Sequence, residues 1–130
     1  MHYLPQEIEA WYIIPAIRKE VSRCLIEEYG ISYSRVGEIL GVSKAAISQY
    51  LKGKRASKIK LPKELGPKIN SACRLFAKNK SDAVSEISRL LEFIRKKKLS
   101  CFICDEIRDG VLDKCKEINF NGKNYEARKF

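Results

Sequence analysis

The sequence predicts a mainly α-helical protein: a small helical bundle, further helices, and a short cysteine-containing tail. Two observations carry that expectation. Apolar residues recur at spacings of three and four through most of residues 6–96, the period of one helix face. Serine, aspartate, glycine or proline stands at the joints between these runs, where helix caps and breaks belong. A third observation concerns the last residues alone. "EINFNGKNYEA" sets Asn121-Gly122 between short alternating segments, which predicts a small β-hairpin.

The first element spans Gln6 to about Tyr29, with Ile8, Trp11, Ile17, Val21, Cys24, Leu25 and Tyr29 on one face. Pro15 cannot donate to the carbonyl of Trp11, so a kink is expected, or two helices with Pro15 opening the second. Gly30 suits a left-handed cap. Ser32 or Ser34 can cap the next helix, which runs to about Leu40 and turns Val36, Ile39 and Leu40 inward. Gly41 breaks it. Ser43 is placed to cap a helix over 44–51, with Ala46, Ile47 and either Tyr50 or Leu51 inward.

Residues 53–60, "GKRASKIK", lack helical period and read as a basic loop or linker. A helix over 67–78 follows, with Ile69, Ala72, Cys73 and Phe76 spaced for burial. Ser81 or Asp82 starts the last one, where Val84, Ile87, Leu90, Leu91 and Ile94 form an apolar stripe. "RKKK" closes it with cations where the helix dipole favours them. The stripe either packs on the helix before it or pairs with a second copy of the chain. Three units are expected: a bundle over 1–58, a helical extension over 59–100 with a dimerising role, and a cysteine-containing segment over 101–130.

Charge is unevenly spread along the 130 residues. The net value is +10. Residues 31–60 hold seven basic and one acidic side chain, and residues 61–100 hold ten and four. The first thirty residues lean acidic and the last thirty balance, so the excess sits where a polyanion could meet it. There is no run of about 18 apolar residues and no signal-peptide pattern, so a cytoplasmic protein without membrane contact is expected.

The stretch "ISYSRVGEILGVSKAAISQYLKGKRA", residues 31–56, gives the charge a use. Two helices joined by a short glycine-containing turn describe a helix-turn-helix. In that motif the second helix enters the DNA major groove with its N-terminal residues at the base edges. Ser43, Lys44, Ala45, Ser48 and Gln49 are the candidate base-reading residues. Gln pairs bidentately with adenine, Lys with guanine and Ser with either, while the small alanines allow close approach. Ser34, Arg35, Lys52, Lys54 and Arg55 are candidate phosphate contacts, adding affinity without reading sequence. Tyr50 either joins them through its hydroxyl or packs inward.

At these residues the chain resembles a known class. "SRVGEILGVSKAAISQYLKGKR" looks like the helix-turn-helix of lambda-repressor-like regulators, the xenobiotic-response-element class. These read as a serine-capped helix, then "LGVS", then "ISxxxxGKR". Upstream, "WYIIPAIR" is similar to the "WYxxPAIR" segment of small archaeal regulators of this class, whose C-terminal segment carries CxxC…C. The resemblance implies a lambda-repressor-like bundle and a dimeric, cytoplasmic, double-stranded-DNA-binding transcriptional regulator.

Of the five cysteines, Cys24 and Cys73 fall on apolar faces and read as small buried hydrophobes. Cys101, Cys104 and Cys115 differ, because a CxxC pair lets two thiolates from one loop reach one metal and Cys115 could return as a third ligand. An iron–sulfur cluster is expected, with zinc as second choice. Three thiolates do not close either site, so a fourth ligand is required from Cys73, Asp105, Asp109, a small molecule or a second chain. The other reading is a thiol pair that stays reduced or forms a disulfide. His2 is the one histidine, and no phosphate-binding glycine loop occurs, so no enzyme and no small-molecule substrate are expected. The alternative function is a helical interaction module whose basic face meets an acidic protein.

Overall fold

A computed structural model describes residues 4–57 and 59–97 of the chain. Every regular element among them is helical. Helix α1 (Pro5–Ile8) runs through a π-helical turn, Glu9–Ile13, into α2 (Ile14–Glu27). Then come α3 (Tyr33–Leu40), α4 (Lys44–Leu51), a 3₁₀ turn at Lys63–Leu65, α5 (Gly66–Ala77) and α6 (Ala83–Lys96).

The π turn resolves the problem posed by Pro15. Pro15 lies in the first turn of α2, where its fixed φ suits the helix. Immediately before it the ladder widens, and Ile14 N–H donates to the Glu9 carbonyl five residues back. The extra residue in that turn rotates everything ahead of it. Ile8 and Ile13, five apart, both point into the core, and Ala16 joins them. Trp11, expected on the inner face from the α-helical period, is instead 53% exposed. Tyr29 also faces outward, because α2 ends at Glu27 and the chain has already left the helical path.

One apolar core unites these helices. Ile17, Val21 and Leu25 of α2 meet Val36 and Leu40 of α3, Ile47 and Tyr50 of α4, Ile69 and Phe76 of α5, and Leu90 and Ile94 of α6. The segment expected as a free linker contributes too. Ile59 is buried and Ala56 packs against the core, so the core runs across the boundary expected at residue 58. Leu65, at the end of the 3₁₀ turn, is fully buried.

Helix α6 forms as its pattern predicts, with Asp82 as the cap: its carboxylate accepts from Ser85 N–H at 2.8 Å. Ile87, Leu90, Leu91 and Ile94 are all buried. Val84, in the first turn, departs from the stripe at 77% exposure. Arg95 ties α6 to the N-terminal helices through a two-pronged pair with Glu9, at 2.8 and 2.7 Å. Lys68 of α5 sits 5.0 Å above the Phe93 ring. No described helix is long and apolar enough to cross a membrane.

The expected hairpin at Asn121-Gly122 and the cysteines Cys101, Cys104 and Cys115 lie outside the described residues. Cys73, one candidate for a fourth metal ligand, is sealed in the core and donates to the Val21 carbonyl at 3.8 Å. Burial pushes its thiol well above the ordinary range, and the neighbouring Cys24 and Glu28 push it the same way. Among the described residues, no group of three potential metal-binding side chains comes together.

Candidate nucleic-acid interface

The geometry of the α3–α4 pair follows from four small residues. Ser32 caps α3, its hydroxyl accepting from Arg35 N–H at 3.2 Å, which decides between Ser32 and Ser34. Gly41 ends α3 in the left-handed region at φ 72°, a conformation that a side chain disfavours. Ser43 opens α4, accepting from Ala46 N–H at 3.0 Å. Gly37 is the fourth. A Cβ built on Gly37 would lie 2.7 Å from the Val42 carbonyl oxygen, a backbone atom that cannot swing away. Val42 N–H in turn donates to the Gly37 carbonyl at 3.0 Å. The turn closes directly against α3 at that position, which is why a glycine stands in mid-helix.

Helix α4 therefore has two well-separated faces. Ala46, Ile47 and Tyr50 point into the core. Ser43, Lys44 and Ala45 are exposed, and Ser48 and Gln49 are half-buried on the same outer side. All five proposed base-reading residues thus share one surface. Tyr50 does not join the phosphate contacts. At 3% exposure it belongs to the core, because it follows Ala46 and Ile47 at the four- and three-residue spacing of the inner face.

Beyond α4 the chain reverses sharply. Lys54 N–H donates to the Gln49 carbonyl at 2.9 Å and Gly53 N–H to the Tyr50 carbonyl at 3.2 Å, with Gly53 left-handed at φ 74°. This is a Schellman closure, in which orphan carbonyls of the last turn are satisfied by the returning chain. It sets Lys52, Lys54 and Arg55 together at the C-terminal end of α4, all exposed. Among the described residues, none of Lys44, Lys52, Lys54 and Arg55 has a carboxylate within ion-pair distance.

Ser34 and Arg35 lie exposed at the start of α3. Arg35 is shared: it donates to Glu38 at 3.1 Å and to the Asn79 side chain at 2.6 Å. The second bond brings the turn between α5 and α6 beside α3, and with it the exposed Lys78 and Lys80 that flank Asn79. Neither lysine stood out in the sequence, since they lie some 45 residues from Arg35. The hint was "KNK", an asparagine that can turn left-handed between two cations, as Asn79 does at φ 56°.

Comparison with known proteins adds no relative: no protein-family model, no curated protein and no solved structure matches the chain.

Proposed function

We propose that the protein is a sequence-specific double-stranded-DNA-binding transcriptional regulator of helix-turn-helix type, with α4 entering the major groove. The observation that carries this reading is the outer face of α4. It is polar, and at its basic end Lys52, Lys54 and Arg55 have no ion-pair partner among the described residues. Lys44, Ser48 and Gln49 address base edges, Ala45 permits close approach, and Ser43 holds the N-terminus of the helix. The unpaired cations, with Ser34 and part of Arg35, grip phosphates on either side.

Titrating duplex affinity against salt tests the reading. Several phosphate contacts require log affinity to fall linearly with log salt, with a slope of about −0.9 per contact. Flat salt dependence, or equal affinity for an acidic protein and a duplex, favours the interaction-module alternative. Two copies on a palindromic site would set their α4 helices about 34 Å apart. Sedimentation with and without duplex measures such a dimer. Metal or redox responsiveness rests on the spacing of Cys101, Cys104 and Cys115. Elemental analysis and an optical spectrum of anaerobically purified protein test it.

A further inference from the structure

The geometry points to a second binding site, a cleft for a mononucleotide between the N-terminal helices and the segment that follows α4. The cleft has a volume of about 410 Å³. That lies within the range of about 300–1,000 Å³ typical of small-ligand sites. Among the described residues three cations line it, Arg18 from α2 with Lys54 and Arg55 from beyond α4, and no carboxylate does. Trp11, Tyr12 and Ile59 form its apolar walls.

Arg18 sets the chemistry. Its Nε is buried, and among the described residues it is the buried side-chain nitrogen or oxygen that lacks a hydrogen-bond partner. Arg18 is otherwise only partly buried, and a buried N–H without an acceptor is held at a cost that an anion in the cleft beside the guanidinium would offset. Phosphate suits it, because guanidinium binds phosphate oxygens through paired, charge-assisted bonds. The aromatic side chains Trp11 and Tyr12 in the same lining suit a planar ring. Phosphate and planar ring together define a nucleotide.

The site also has a consequence for DNA. Lys54 and Arg55 belong both to the cleft and to the proposed phosphate contacts, so a nucleotide bound there competes with duplex for the same charges. This coupling rests on the DNA-binding reading; the site itself does not.

The chain's only tryptophan is Trp11, so its fluorescence reports on the cleft directly. The full chain is titrated with AMP, adenosine and inorganic phosphate. AMP is expected to change the emission saturably, with adenosine and inorganic phosphate each at least about tenfold weaker. Arg18→Gln should weaken AMP by about tenfold or more, and Arg18→Lys should recover part of the loss. Should Arg18→Gln fail to fold, Ser57→Glu decides, since Ser57 is exposed and its replacement sets a carboxylate in the cleft. Unsaturable AMP, equal affinity for AMP and phosphate, or variants that bind AMP like the parent would overturn the site. Separately, AMP should weaken duplex binding by the parent and not by Arg18→Gln. Saturable AMP binding with unchanged duplex affinity would remove the coupling and leave the site standing.

Discussion

The pairs α3–α4 and α5–α6 are built alike and used differently. Each turns through a left-handed residue, Gly41 in one and Asn79 in the other, and each second helix opens on a side-chain cap, Ser43 or Asp82. Both are rich in cations. In α6 those cations are tied down: Arg89 chelates the buried Glu86 at 2.8 and 2.7 Å, and Arg95 grips Glu9. Around α4, Lys44, Lys52, Lys54 and Arg55 hold no carboxylate among the described residues. Positive charge alone says little about function. What separates the surroundings of α4 from α6 is whether, among the described residues, carboxylates already hold the charge.

The sharpest way to break this comparison is at the α3–α4 crossing. Gly37→Ala should destabilise the protein by about 1–3 kcal/mol in thermal or urea unfolding, because its methyl meets backbone. Gly66→Ala is the matched control. Apart from its chain neighbours nothing lies within 4 Å of a Cβ at Gly66, so alanine there should cost less than at Gly37, and only what crowding against Pro67 adds. If both substitutions cost the same, the close approach at the turn is not what fixes α4.

The caps come next in size. Ser43→Ala should cost about 1 kcal/mol, whereas Ser34→Ala should leave stability unchanged, since Ser32 holds the end of α3. In the other pair, Glu9→Gln should cost about 1 kcal/mol by loosening Arg95, a figure kept small by that arginine's exposure. Duplex affinity should not follow it. The unpaired cations should behave oppositely. Lys54→Ala or Arg55→Ala should shift stability by less than about 0.5 kcal/mol, yet weaken every duplex and lower the salt slope by about 0.9 each.

The smallest effect concerns pH. Hydrogen bonds from Ser85, first its backbone N–H and then its hydroxyl, hold the Asp82 carboxyl below its ordinary value. A depressed folded value means the carboxylate's contribution is present above the unfolded value and is lost as pH falls through the folded one. Asp82→Ala should therefore flatten part of the acid limb of the unfolding temperature below about pH 4. An unchanged acid limb would show that the cap does not act through its charge.

Much of this architecture could be read from the residues. Gly41, Ser43 and the inward set Ala46 and Ile47 follow from local rules, because cap chemistry and helical period act within one turn. The buried sets of α5 and α6 were legible for the same reason. The misreadings arose where a distant constraint overrode the period. A single π turn ahead of Pro15 swung Trp11 outward and brought Ile13 in, a rotation that no α-helical template anticipates. Residues 53–60 look like a linker because Ile59 is their lone large apolar side chain, and only the folded bundle shows what it fills. Gly37 was visible as a glycine inside a helix, but its reason is a carbonyl across the turn. Lys78 and Lys80 reach the candidate site through Asn79, a contact between residues 44 apart.

The central claim is that α4 reads bases, and selection of bound duplexes from a random pool tests it most directly. The parent protein should enrich one sequence pattern, and Gln49→Ala or Lys44→Ala should relax it at particular base pairs while the rest persists. Identical patterns from the parent and both variants, or no enrichment from the parent at all, would contradict it.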